Sequence, residues 1–222
     1  MPDAPLTPDR RTLAIDPGEI TAPARAPFVE LGLASCFSFL RGASDAVDLA
    51  LTAHAHGYDA IGIADANSMA GVVRLHTEAK ALKLRPVIGC RIETTEGFNF
   101  LAYPKNRAAY GSLCRLISAG RMATPEGEWQ DKGVCQITLA MLAGHQTDVQ
   151  LILLPPDNLD TSFTIAGPSN VVPLRAGHAP TSELTAPFPD LMPYLRRLLP
   201  SLSHIAASHL YRGDDVARIE RL

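Results

Sequence analysis

The chain has 222 residues, 46% of them hydrophobic, and a formal net charge of −3. That is enough apolar material for one domain with a substantial core, which excludes global disorder. The slightly acidic balance gives no electrostatic reason for autonomous nucleic-acid binding, and no apolar run approaches the ~20 residues of a membrane span. Cys36, Cys90, Cys114 and Cys135 lie far apart with no C-x-x-C pair, as expected for reduced thiols in a cytoplasmic protein. Asp3 and Asp9 near the N-terminus, with no apolar segment between charged flanks, argue against a secretory signal.

Residues 1–26 contain five prolines and no apolar period, which predicts a flexible arm preceding a domain over 27–222. Phe28 to Leu31 reads as a first buried strand. Ser44 and Asp45 offer N-cap chemistry for a helix carrying Val47, Leu49, Ala50, Ala53 and His54, closed by Gly57. Ala60 to Ala64 is a short apolar strand of the kind buried on both faces. A second helix is predicted from Met69 to Leu82, its inner stripe built on Val72, Val73, Leu75, His76 and Ala79.

Pro86 to Cys90 and Phe98 to Tyr103 read as strands, and Ala108 to Ala119 as a helix with Tyr110, Leu113, Leu116 and Ile117 inward. Strand and helix alternate, which implies an α/β fold of mainly parallel strands joined by βαβ crossovers. Further on, Gln136 to Leu139, Val149 to Leu154 and His204 to Ala207 read as strands, and Leu191 to Leu199 as a helix. Residues 155–189 read as loops with brief strands. Asp214 and Asp215 begin a last helix that the end of the chain cuts short.

In parallel βα folds, chemistry collects on the loops after the carboxyl ends of strands. Gly32 to Phe37 and Asp65 to Gly71 occupy such loops. A catalytic metal ion needs about three protein ligands and an open position. His54 and His56 are two apart on a helix, so they diverge and are not expected to share an ion; one packed and one solvated histidine is expected. His76, His145, His178, His204 and His209 lack ligand spacing and are expected in surface or packing roles. Ser35 and Ser38 have no cue for an activating base, so nucleophilic catalysis is not expected. The cysteines are expected to act as buried apolar residues, and Arg212-Gly213-Asp214 as a turn before the last helix.

Residues 30–44 (ELGLASCFSFLRGAS) and 61–72 (IGIADANSMAGV) resemble the opening motifs of the PHP (polymerase and histidinol phosphatase) domain. In metal-binding members the first motif carries His-x-His and the second Asp-His. The resemblance places Gly32 and Ala34 at the first pair and Ala66 at the second histidine, leaving Asp65 as the one remnant. Val87-Ile88-Gly89-Cys90 resembles the family strand that leads into a metal-binding Glu, and Arg91 stands there instead. A guanidinium repels a cation. Glu93 shares a face with Arg91 and is expected to pair with it. The alternative, a displaced ligand, requires a shift of ~6–7 Å. The resemblance therefore implies a PHP-type distorted (βα) barrel with a degenerate metal site at Gly32, Ala34, Asp65, Ala66 and Arg91, no catalytic residues and no cofactor.

Longer phrases are similar to the N-terminal part of bacterial error-prone DNA polymerases, relatives of the DNA polymerase III alpha subunit. They include FSFLRGAS (37–44), SMAGVVR (68–74), NRAAYGSLCRLI (106–117) and HLYRGDD (209–215). This resemblance implies a barrel truncated at its C-terminal end, because the family's last Asp-x-His motif would fall just beyond Leu222. The palm aspartates, fingers and thumb are also absent from these residues, so this chain by itself is not expected to polymerise DNA. The expected role is a metal-free structural or interaction module for DNA replication and damage-induced translesion synthesis. Its implied partners are the rest of the polymerase (palm and thumb) or other mutasome proteins. The alternatives are a metal-dependent phosphoesterase or 3′–5′ exonuclease with an atypical ligand set, and a stand-alone interaction protein or truncated polymerase gene product.

Overall fold

The computed structural model describes residues 28–124, 126–166 and 183–222. The arm expected over 1–26, His178 and part of the loop-rich stretch after Pro155 lie outside them. The chain divides into two compact units, Met1–Gly89 and Cys90–Leu222.

In the first unit, β1 (Val29–Leu33) pairs in parallel with β2 (Ala60–Ala66). The strand β2 is buried through Asp65, as its uninterrupted apolar run requires. Between them, α1 (Ala46–Ala55) starts at Asp45, whose side chain accepts from the Val47 N–H at 3.0 Å. Ala46, Ala50 and Ala53 form its buried face, small enough for α2 (Val72–Ala81) to pack against it. Gly57 follows in the left-handed region, φ 65°, and supplies the expected helix stop.

The helix α2 buries Val72, Leu75 and Ala79. Val73 is 70% exposed and His76 is exposed as well, so the stripe is narrower than the sequence predicts. Residues 73 and 76 lie about 100° round the helix from 72 and 75, at the edge of what a neighbour as slim as α1 covers. The first turn of the predicted helix, from Met69, is not helical; α2 begins only after Gly71.

The strand β3 (Arg85–Glu93) carries the chain into the second unit, where β4 (Asn99–Pro104) pairs antiparallel with β3 and with β5 (Val149–Leu154). These antiparallel pairs are exceptions within the mainly parallel arrangement expected. The link 94–98 is a tight turn, Thr94 O accepting from the Gly97 N–H at 2.9 Å, and a parallel crossover needs a dozen residues or more. Between β4 and β5 runs α3 (Arg107–Arg121), capped by Asn106, which accepts from Ala109 N–H at 2.9 Å. It buries Ala109, Leu113, Leu116, Ile117 and Gly120, with Tyr110 half-buried.

The strand predicted over 136–139 is replaced by a single bridge between Ile137 and Thr94 and a short helix, α4 (Leu139–Gly144). The reason is Thr138, whose hydroxyl accepts from the Met141 N–H at 3.1 Å and turns the backbone into a helix. Beyond β5, β6 (Ser162–Ala166) and β7 (Glu183–Pro187) form an antiparallel pair. Phe163 of β6 stacks on Phe98 with ring centroids 4.4 Å apart. A 3-10 turn (Phe188–Leu191) leads into α5 (Met192–Leu198), and β8 (Leu202–Ile205) pairs in parallel with β5.

Gly213, at φ 92°, makes the expected turn before α6 (Asp215–Glu220). Arg218 of α6 is buried and donates to the carbonyls of Pro156, Asp157 and Ser208 at 2.8–3.2 Å. A buried guanidinium demands such partners, and here they fasten the last helix to the segment after β5.

Candidate functional site

The first unit brings together Gly32, Ala34, Asp65 and Ala66 at the carboxyl ends of β1 and β2. Gly32 sits within β1, its N–H donating to Glu30 Oε1 at 2.9 Å. Asp65 is 1% exposed, and its carboxylate is fully engaged. Oδ1 accepts from the Ser35 N–H at 2.8 Å and from the Ser38 hydroxyl at 2.6 Å. The Ser35 hydroxyl lies 3.0 Å from Oδ1 and 2.8 Å from Oδ2, closer to the second. Ser38 Oγ in turn accepts from the Ala66 N–H at 3.0 Å, and Ser35 Oγ from the Phe37 N–H at 3.3 Å.

The two serines are thus the functional neighbours of Asp65 that sequence reasoning missed. Each hydroxyl donates to the Asp65 carboxylate. The available signal was their spacing: a Ser-x-x-Ser loop opposite a buried aspartate can satisfy both carboxylate oxygens.

Two glycines hold this cluster closed. A Cβ on Gly42 would lie 2.3 Å from the carbonyl oxygens of Ala34 and Ser35, and one on Gly71 would lie 2.6 Å from Asp65 Oδ2 and 2.8 Å from Ser35 Oγ. No room is left for a bulkier group beside the carboxylate.

The residues present do not fit a metal ion. Gly32, Ala34 and Ala66 offer no ligating side chain, and both oxygens of Asp65 already accept from N–H or O–H groups of Ser35 and Ser38. A cation there would have to displace donors already aimed at the carboxylate. Among the described residues, no three His, Cys, Asp or Glu side chains gather so as to hold a metal.

In the second unit, Arg91 is half-buried and its Nε lies 3.1 Å from Glu93 Oε1. The same guanidinium donates to Asn99 Oδ1 at 3.2 and 3.3 Å. Asn99 is the residue opposite Glu93 in the β3–β4 register. Glu93 is therefore the ion-pair partner expected of it, with a cationic group where a ligand would need a metal.

Among the described residues no group of histidines gathers so as to hold a metal. His54 and His56 are both exposed, against the expectation that one would be packed, and His56 stacks on Tyr58 at 6.0 Å. His145 is half-buried with Nδ1 3.0 Å from Ser112 Oγ, and His204 and His209 are exposed. Of the cysteines, Cys90 is buried as expected, Cys114 and Cys135 are half-buried and Cys36 is exposed. Cys36 lies in the loop after β1, where the backbone, with its N–H on Ser44 O at 2.9 Å, sets its position rather than packing. Burial pushes the Cys135 thiol up, opposed by the Arg121 charge, which keeps it a thiol.

Comparison with known proteins adds independent findings. The model of the PHP domain matches residues 30–184. An error-prone DNA polymerase of Caulobacter vibrioides is 37% identical over 196 residues, which cover 88% of this chain and 15% of that relative. Error-prone DNA polymerase 2 of Agrobacterium fabrum is 49% identical over 94 residues, 42% of this chain and 9% of that relative. This chain thus spans only a small fraction of the curated relatives it matches. Among solved structures, an amidohydrolase from Chromobacterium violaceum aligns with a TM-score of 0.56 at 12% identity, over 87% of this chain and 81% of that one. At that identity the likeness bears on fold alone. It shows the α/β fold class expected from the strand–helix alternation, that of the distorted (βα) barrels. No helix of the described residues is long and apolar enough to cross a membrane.

Proposed function

The chain belongs to the PHP domain family, and from that premise we propose that residues 27–222 form a metal-free PHP module of an error-prone DNA polymerase. In this reading the module is structural: it supports the polymerase that replicates across damaged DNA, and it neither hydrolyses phosphoesters nor extends primers itself. Its partners are the palm and thumb of the same polymerase or other proteins of the mutasome, in the cytoplasm, with no membrane or autonomous nucleic-acid contact.

One observation carries the reading. The single family ligand that survives, Asp65, is occupied by the Ser35 and Ser38 donors of its own loop, so its carboxylate serves to fold the loop. Gly32, Ala34 and Ala66 carry no ligating side chain, and in the second unit Arg91 is paired with Glu93; among the described residues no cluster of three His, Cys, Asp or Glu side chains could hold a metal to activate a water. The long relatives, all error-prone DNA polymerases by name, supply the context for a supporting role.

The competing reading is a phosphoesterase or 3′–5′ exonuclease with an unusual ligand set. Purified protein given Mn²⁺ or Zn²⁺ is expected to leave p-nitrophenyl phosphate and DNA 3′ ends intact. Turnover that a chelator abolishes would sink the metal-free reading. Arg91→Glu is likewise expected to bind no Zn²⁺ in calorimetric titration, because one restored carboxylate falls short of the roughly three ligands required. Tight binding by that single variant would show the site to be misassigned.

A further inference from the structure

The loop that Asp65 anchors ends in an apolar tip. Between Ser35 and Gly42 the backbone is closed by Ser38 N–H to Ser35 O at 2.9 Å, Arg41 N–H to Ser38 O at 2.9 Å and Gly42 N–H to Ser38 O at 3.0 Å. On this base, Phe39 is 85% exposed and Leu40 is 90% exposed. Leu40 also sits in the left-handed region, at φ 61°, a conformation a leucine rarely adopts. Nothing in the packing of the loop itself uses either side chain. Phe37, the next aromatic back along the loop, is 41% exposed and has the Arg74 guanidinium carbon 5.6 Å from its ring centroid, with Arg74 Nη1 pairing with Asp45 at 2.6 Å.

A floppy loop would fold such residues back onto the surface. This one is fixed by a buried carboxylate, a close-packed glycine and a strained residue, and it holds two large apolar side chains out in water. Strain of that kind persists where surrounding structure enforces it and tends to mark binding sites. Adjacent, pre-positioned aromatic and aliphatic side chains are what an apolar pocket on a protein partner takes up.

We propose that Phe39 and Leu40 form a knob that docks into an apolar socket on the polypeptide which the polymerase carries outside this domain. The occupant is argued from length. In the Caulobacter relative the matched segment is 15% of the chain, so most of that protein's surface is available to cover the tip in the same molecule. This rests on the polymerase-module reading above.

The test places this chain in the Caulobacter vibrioides polymerase, in exchange for the matched segment, with the photo-crosslinker p-benzoylphenylalanine at position 39. Irradiation is expected to give intramolecular cross-links from position 39 to apolar residues outside the exchanged segment. Phe39→Asp and Leu40→Asp are expected to shorten the half-life of primer extension at elevated temperature at least tenfold. Val73→Asp, at an exposed apolar site on α2 outside the loop, should leave it unchanged. Cross-links confined to the domain, or to a second copy, with an active chimera would overturn the knob and spare the module reading. A chimera that is soluble but inert, while the parent polymerase extends primers, would overturn the module reading and the knob with it.

Discussion

Asp65→Ala is expected to lower the melting temperature by roughly 6–12 °C. The carboxylate accepts from one backbone N–H and two hydroxyls in a site that water does not reach. Hydrogen bonds to a charged acceptor contribute about 1.5–3 kcal/mol each, and stranding buried donors adds about 1–3 kcal/mol. Because neighbouring bonds are not additive and the loop relaxes, a loss of about 3 kcal/mol is the reasonable expectation. For a domain of this length that corresponds to about 2–4 °C per kcal/mol. Asp65→Asn should fall between wild type and alanine, since its amide oxygen still accepts but carries no full charge. A vacant metal ligand behaves in the opposite way. Its charge is kept for function at the expense of stability, so its removal is neutral or stabilising. Thermal unfolding of the two variants therefore separates a structural carboxylate from a catalytic one by the sign of the change.

Gly42→Ala is expected to be as damaging, by a different route. The new methyl would stand 2.3 Å from two carbonyl oxygens and 2.6 Å from the Ser35 carbonyl carbon. These are backbone atoms, and no rotamer change moves them away. The chain must shift where Ser35 meets Asp65, so the steric penalty and part of the hydrogen-bond loss arrive together. Overpacking alone contributes about 1–3 kcal/mol, and about 3 kcal/mol or more is expected in total. At Gly71 the nearest atoms are the side chains of Asp65, Ile63 and Ser35, at 2.6–2.8 Å. Some of these can yield, so Gly71→Ala should destabilise less. Denaturant unfolding should rank Gly42→Ala below Gly71→Ala in stability, and the reverse ranking would contradict the loop geometry.

Much of the framework is legible because local signals and burial agree. Asp45 and Gly57 mark helix ends through their own chemistry, and the apolar run of β2 can be satisfied only by burial on both faces. The departures share a cause. Thr138 offers its hydroxyl to the backbone, and that choice between strand and helix is invisible to a count of apolar residues. The antiparallel course of β4 follows from the tightness of the turn at 94–98, a distance argument that strand–helix alternation obscures. Val73 and His76 lie outside the core because the breadth of a helix's buried face is set by its neighbour.

The site is legible in one respect and opaque in another. That Gly32, Ala34 and Ala66 cannot ligate follows from their side chains alone. How the buried Asp65 carboxylate is satisfied does not, because it depends on two serines reaching an aspartate some thirty positions away. A buried carboxylate and two hydroxyls hold this loop. The same anchoring holds Phe39 and Leu40 in water, so the old ligand and the proposed contact surface are two ends of one device.

The most direct test of this account is elemental analysis of the purified protein after gel filtration, prepared with Zn²⁺, Mn²⁺ and Fe²⁺ in the growth medium and no chelator. The account predicts less than stoichiometric metal of any kind. Retention of about two or three ions per chain, as a working hydrolytic cluster requires, would contradict it.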